Sequence, residues 1–193
     1  MRTLRQRAYR FGQEIARPVF RGLVGLIDDS SGPLVEIAMD SLLSKRDIPP
    51  ELRITYMKRI LVSATTEQIY KLIMNECPKD EQEVLVKAFD LRYAQTKTKF
   101  DEKIQTAESG MHASNLFARC GEYKKITLVQ TRDMLTSGKL TSEKAQQTLA
   151  SIIWAEGTEQ QAREILERGS VIGFAQHILL FKCREQPGQT YPI

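Results

Sequence analysis

The residues with the clearest chemical potential are arginines at the amino-terminal end of the chain. Six arginines and a single acid, Glu14, fall within the first 21 residues, whereas the whole chain has 28 basic and 24 acidic residues. The planar guanidinium group binds phosphate oxygens in pairs and is less strongly hydrated than a lysine ammonium. We therefore predict that these side chains bind the phosphates of anionic lipid or of nucleic acid. The predicted phosphate-binding residues are Arg2, Arg5, Arg7, Arg10, Arg17 and Arg21.

An apolar stripe accompanies these arginines. Leu4, Phe11 and Ile15 recur at helical spacing, so they share one face of a predicted amphipathic helix. A basic helix with an apolar face is typical of segments that lie in a membrane interface, and we predict that these three residues face the membrane. Nucleic acid would use the same arginines without needing the apolar face. A solvated helix that docks on protein through its stripe is the third interpretation.

A second basic surface is predicted on the longest helix of the chain. Arg92, Lys99 and Lys103 are spaced by seven and four residues, which places them on one side of a helix. Asp101 and Glu102 are close enough to pair with the lysines, so an ordinary solvated face is the alternative interpretation.

The other chemistry-bearing residues do not form a known catalytic pattern. The two histidines, His112 and His177, have no cysteine or carboxylate at metal-ligand spacing. The three cysteines are odd in number and far apart, which argues against a disulfide framework and favours a reducing compartment. We therefore expect no enzymatic activity, no metal, no cofactor and no small-molecule substrate.

Helical periodicity and helix-ending residues position these groups. Almost every segment has the spacing of an amphipathic helix, and we predict an all-α fold of about nine or ten helices. The longest helix is expected to run from Pro78 to about Glu108. Gly121 is expected to end the next helix, and a separate helix is expected to follow it. The predicted amino-terminal caps are Thr65, Thr141, Thr158 and Ser170.

The same pattern suggests two helical lobes. We assign residues 1–77 to an amino-terminal lobe with the basic helix, residues 78–185 to a carboxy-terminal lobe, and residues 186–193 to a tail. A break at Gly110 is the alternative boundary. No apolar run approaches the roughly 20 residues that a membrane-spanning helix requires.

Two stretches carry a family resemblance. The sequence SGPLVEIA at residues 31–38 is similar to an early helix start in the matrix proteins of orthomyxoviruses, the influenza-type viruses. The sequence SGMHASNLFARCG at residues 109–121 resembles a helix of their middle domain, with three residues fewer between Ser114 and Arg119. The chain is shorter than the influenza protein, which suits a distant branch such as the fish isavirus.

The resemblance implies a structural protein of the virion that lies beneath the envelope. Such a protein self-associates into a layer, binds anionic membrane lipid and contacts viral RNA or ribonucleoprotein. In infected cells it would occupy the cytoplasm, the nucleus and the inner face of the plasma membrane. The family's middle-domain basic tract has only Arg92, Lys99 and Lys103 as stand-ins here, and its Cys/His cluster is missing. The alternatives are a helical nucleic-acid-binding protein and a helical protein–protein adaptor.

Overall fold

The computed structural model describes residues 50–75 and 77–184, and this part of the chain is all-α. It contains seven helices and no strand, so the predicted fold class is confirmed for the described residues. The total of nine or ten helices remains a prediction, because residues 1–49 and the tail lie outside them. The helices are α1 Pro50–Leu61, α2 Thr66–Met74, α3 Lys79–Gln105, α4 Gly110–Thr136, α5 Glu143–Glu156, α6 Glu159–Glu167 and α7 Gly173–Arg184.

The chain divides into two compact units, residues 1–75 and residues 76–193. The described part of the first unit consists of α1 and α2. The predicted capping box opens α2: the Gln68 backbone N–H donates to Thr65 Oγ1 at 3.2 Å, and the Thr65 N–H donates to Gln68 Oε1 at 2.9 Å. Met57, Ile60 and Ile69 are fully buried. Local capping and a buried apolar stripe thus account for this helix pair.

The second unit contains α3 to α7, and two contacts define the direction of α3 and α5. Gln82 in the first turn of α3 accepts the backbone N–H of Ser142, just before α5, at 3.0 Å. Fifteen residues later, Lys97 forms an ion pair with Glu156, the last residue of α5. The two helices therefore run parallel. In the chain they are separated by α4, which runs back in the opposite direction. The Phe174 N–H donates to Glu143 Oε1 at 3.3 Å, so α7 also starts beside the first turn of α5.

Two buried glutamines connect the loops of this unit. Gln82 donates to the carbonyls of Cys77 and Lys139 at 3.1 and 3.0 Å, and its Oε1 accepts the N–H groups of Thr141 and Ser142. Gln146 of α5 donates to the carbonyls of Leu140 and Ser170, and it accepts the N–H of Ile172 at 3.0 Å. Buried amides are stable only when such partners are present, so these residues hold the loops to the helices.

The prediction that Gly121 ends a helix is wrong. Residues 110–136 form one continuous α4, with Gly121 in its interior. Gly121 is exposed, and the position of its missing side chain faces open space. A glycine inside a helix costs only about 1 kcal/mol relative to alanine. The buried positions on either side, including Cys120 and Thr127, keep both halves of α4 on the core.

Two predicted caps are also displaced by tertiary contacts. Ser142, not Thr141, caps α5: its Oγ accepts the Ala145 N–H at 3.4 Å and donates to Glu83 at 2.9 Å. Ser170 instead donates to the Thr136 carbonyl at 3.3 Å, and α7 begins three residues later, at Gly173. The capping box at Thr158 and Gln161 is confirmed.

Candidate functional site

The predicted amino-terminal site lies outside the described residues. This applies to its arginines, Arg2, Arg5, Arg7, Arg10, Arg17 and Arg21, and to the apolar residues Leu4, Phe11 and Ile15. Their roles therefore stay predictions.

The predicted second basic surface lies on α3, and its three residues differ in how far they are buried. Arg92 is half-buried, whereas Lys99 and Lys103 are exposed. Within the described residues, no ion pair is present at the ammonium groups of these two lysines. Lys99 lines a shallow depression together with Glu102, which adds a negative charge to the same surface. The exposed pair therefore offers a limited positive patch beside an acid.

The position of the two lysines follows from how far α3 and α4 extend. Because α5 ends at Glu156, beside Lys97, the last eight residues of α3 continue past it by about 12 Å. The amino-terminal half of α4 packs against this part of α3, where the tilted rings of Phe100 and Tyr123 lie with their centroids 6.1 Å apart. This projecting helix pair carries Lys99 and Lys103.

A cluster of charged and aromatic residues joins α3, α4 and α5 at the base of this projection. Glu156 forms ion pairs with Lys97 of α3 and, at 3.6 Å, with Lys124 of α4. The Lys97 ammonium also lies 5.5 Å from the centre of the Tyr93 ring. The rings of Tyr93 and Tyr123 are tilted by 35° to each other, with their centroids 5.9 Å apart. Three helices thus meet at one carboxylate between two lysines.

The pKa shifts in this cluster indicate a structural role. Burial by itself would raise the pKa of Glu156, but the hydrogen bond and charge of Lys97, together with Lys124, outweigh it and lower that pKa. Burial and the adjacent Glu156 charge raise the pKa of Tyr93 beyond its ordinary range. A carboxylate with a lowered pKa is a weak base, and a tyrosine with a raised pKa stays protonated. The cluster is therefore suited to holding helices together.

An exposed aromatic face on α7 was not predicted from the sequence. Phe174 and Phe181 are 57% and 62% exposed, and Ile178 lies between them at helical spacing. Trp154 of α5 is 45% exposed beside them. Trp154, Ile178 and Phe181 line a groove of about 310 Å³ together with Ser151. We call Trp154, Phe174, Ile178 and Phe181 the aromatic face.

The sequence does carry a signal for this face. In the run VIGFAQHILLF, apolar residues occur on both sides of the helix, while one side suffices to pack on the core. Ala175 and Leu179 form the buried side. An apolar stripe on the other side indicates a second contact surface. His177, at the edge of this stripe, is exposed.

A second groove of about 340 Å³ lies between α6 and α7. Its lining includes the apolar residues Leu166 and Leu180 and the basic residues Arg163 and Arg184. Arg163 is paired with Glu159 in the preceding turn. The half-buried Cys183 also lines this groove, and burial raises the pKa of its thiol, although Arg163 opposes this effect. A protonated thiol is a poor nucleophile at neutral pH.

Two further searches cover the part of the chain that the structure describes. No group of three or more His, Cys, Asp or Glu side chains there could hold a metal ion. None of the helices there is both long and apolar enough to cross a membrane.

Comparison with known proteins adds no relative. No protein-family model, curated protein or solved structure matches the chain.

Proposed function

We propose that this protein is a non-enzymatic structural protein of the viral matrix type. In this proposal it binds anionic membrane through its arginine-rich amino-terminal segment, self-associates into a layer, and contacts viral RNA or ribonucleoprotein. The protein would be located in the virion, beneath the envelope. The full fold in this proposal has nine or ten helices.

The observation that carries the proposal is the segregation of charge along the chain. Six arginines and one acid occupy residues 1–21, whereas residues 77–184 contain 16 basic and 14 acidic side chains. Each basic residue near an anionic leaflet contributes about 1 kcal/mol, so four to six engaged together form a useful anchor. A nearly neutral helical body attached to such a segment would be held at the membrane while its own surfaces remain available for other contacts.

The described surface supports the remaining parts of the proposal to different degrees. The aromatic face provides the kind of apolar patch that protein–protein contacts bury, and it supports self-association. Lys99 and Lys103 are exposed on the projecting helix pair and are the residues we assign to ribonucleoprotein contact. Two charges beside Glu102 make this contact weaker than the membrane contact.

Liposome flotation of the full-length protein tests the membrane contact. Vesicles with and without phosphatidylserine are compared at low and high salt. The test variant replaces Arg2, Arg5, Arg7 and Arg10 with Gln. The control variant removes the same charge from the body, at the exposed residues Lys58, Lys87, Lys125 and Lys144.

We expect the wild type and the control to float only with phosphatidylserine and to be released by salt, because exposed charges are screened. The arginine variant should remain at the bottom. Equal loss in both variants would mean that overall charge drives binding, and would contradict the role of the segment. If nothing floats but RNA is bound in a salt-sensitive manner, the nucleic-acid alternative replaces the membrane contact. If neither is bound, the adaptor remains.

A further inference from the structure

The aromatic face forms a groove between two helices, and its residues are not scattered single side chains. Trp154 of α5 lines the groove together with Ile178 and Phe181 of α7. The two helices begin side by side, where the Phe174 N–H donates to Glu143. The three aromatic residues, each about half exposed, together present roughly 250–400 Å² if each can bury 150–250 Å². An apolar patch of this size on a monomer is often functional.

We propose that the tail, residues 186–193, folds back along α7 as a strap over the aromatic face, and that release of the strap makes the face available for self-association. The second part of this inference rests on the proposed function, whereas the first does not. A segment attached to the same chain competes with separate molecules because its effective concentration is about millimolar. The strap therefore keeps the face closed until copies of the protein are concentrated, as they are on a membrane surface.

The position at which the chain leaves α7 favours this path. Phe174, Ile178 and Phe181 are spaced by four and three residues, so they form one stripe of the helix. The next position of the same stripe is Glu185, the residue that directly follows α7. The tail therefore starts from the end of the aromatic stripe and does not have to cross another side of α7 to reach it.

The first residues of the tail have the composition of a tight turn. In the sequence QPGQ at residues 186–189, Pro187 and Gly188 occupy the second and third positions. Proline fixes φ at the value that the second residue of a type II turn requires, and glycine accepts the positive φ of the third. A turn of this type reverses the chain, so it directs the residues that follow back along α7.

The residues after the turn carry apolar side chains at alternate positions. Tyr191 and Ile193 are two residues apart, so in an extended chain both side chains point to the same side. Pro192 lies between them, and the residue before a proline favours extended backbone. The end of the tail is thus suited to lay one apolar edge into a groove.

The length of the tail matches the length of the groove. The turn begins five residues after Phe181, which is about 7.5 Å along the axis at the helical rise. Tyr191 lies two residues past the turn, which returns an extended chain by about 6.6 Å. Tyr191 therefore comes level with Phe181. Ile193 lies about 6.6 Å further along and comes close to Ile178, which precedes Phe181 by about 4.5 Å.

The strap is suited to opening as well as closing. Burial of Tyr191 and Ile193 against the aromatic face favours the closed state. The loss of conformational entropy in the ordered tail opposes it, because every residue of the strap must be fixed to bury only these two side chains. The two effects are similar in size, so a competing surface can displace the strap.

Quenching of Trp154 fluorescence by acrylamide tests the strap, because Trp154 lines the groove and is the single tryptophan of the chain. The test variant of the whole chain is Tyr191→Ala with Ile193→Ala. The control, Gln189→Ala with Thr190→Ala, removes two polar side chains from the same segment. At low protein concentration the quenching constant should rise about twofold in the test variant, as Trp154 recovers its 45% exposure, and stay unchanged in the control. Circular dichroism melts check that both variants are folded.

A change in the turn tests the reversal of the chain. Gly188→Val should open the strap and raise the quenching constant, because a β-branched residue rarely adopts positive φ. Gly188→Asn should leave the strap closed, since asparagine tolerates positive φ at this position of the turn. Equal quenching of these two variants would exclude the reversal at residues 186–189.

Dilution separates the strap from other occupants of the face. A strap within one chain protects Trp154 to the same extent however far the protein is diluted. Protection that disappears on dilution would mean that a second copy covers the face, and would overturn the proposal. Equal quenching of the wild type and of the Tyr191→Ala/Ile193→Ala variant would also overturn it, because the tail would then not cover Trp154.

Sedimentation velocity separates the strap from the function on which its second part rests. If release of the strap frees the face, the Tyr191→Ala/Ile193→Ala variant should associate at roughly tenfold lower concentration than the wild type, because more of it is open. A variant that loses the protection of Trp154 but sediments as the wild type does would overturn the release step and the use of this face for self-association. The strap itself would then stand.

Discussion

Replacement of Gln82 by leucine should destabilise the second unit more than any exposed substitution on the same helix. The Gln82 side chain is 2% exposed and makes four hydrogen bonds to backbone groups. Leucine has a similar volume but can neither donate nor accept. The change therefore leaves two carbonyls and two N–H groups of the surrounding loops without their partner, while it barely changes the packing.

The magnitude follows from the burial of the four bonds. Three of them are partly buried and cost about 1 kcal/mol each when lost, whereas the fully buried bond to the Ser142 N–H costs about 2 kcal/mol. Burial of the more apolar leucine side chain offsets about 1–2 kcal/mol. The net loss is therefore about 3–4 kcal/mol. With a urea dependence of about 2 kcal/mol per molar, the unfolding midpoint should fall by about 1.5–2 M.

Urea unfolding followed by Trp154 fluorescence measures this change, because Trp154 belongs to the same unit as Gln82. Gln95→Leu is the matched control: it makes the same substitution on α3 at an exposed position. We expect the control to change the free energy of unfolding by less than about 0.5 kcal/mol. Equal midpoints for the two variants would refute the view that Gln82 holds the loops in place.

Two further changes test the local structure. Gly121→Ala should raise stability by about 1 kcal/mol, because the position is helical and open. Gly173→Ala should lower it by about 1–2 kcal/mol, since φ is +60° and a Cβ would meet the Glu143 carboxylate. Thermal melts should move by about 4 °C per kcal/mol in opposite directions, and shifts of the same sign would contradict the assigned backbone conformations. Glu156→Gln should cost about 1 kcal/mol at pH 7. Because the folded-state pKa of Glu156 is lowered, this contribution is complete above its ordinary pKa of 4.5 and disappears as pH falls through the folded-state pKa. Urea titrations from pH 7 to pH 3 should therefore show the difference from wild type shrinking only below about pH 4.5; a constant difference would exclude the ion pairs as its source.

A helix end could be predicted from the sequence wherever it depends only on residues close to it in the chain. The capping boxes at Thr65 and Thr158 were predictable because both hydrogen bonds of each box join residues three apart in sequence. The turn at Gly169, with φ of +66°, is likewise a property of glycine. The cap of α5 was predicted one residue too early. Ser142 is the cap, and its N–H also donates to Gln82, which is sixty residues away in sequence.

The candidate surfaces were less predictable than the helices for the same reason. Spacing placed Arg92 and Lys99 on one side of α3, but it could not tell that the first is half-buried and the second exposed. Lys97, two residues before Lys99, pairs with Glu156 of α5, and no feature of the sequence indicates that partner. Whether a charge is free or paired depends on which helix packs beside it.

The sequence by itself therefore determined the all-helical class of the described residues, the caps at Thr65 and Thr158 and the arginine-rich segment, because helical period, capping and charge are local properties. Only the tertiary structure decided that α4 passes through Gly121, that Gln82 and Gln146 hold the loops, and that α7 presents aromatic residues outward. A helix with apolar residues on two sides could pack either side against the core. Its own sequence does not show which side does so. The packing of α5 and α6 against Ala175 and Leu179 makes that choice and leaves Phe174 and Phe181 exposed.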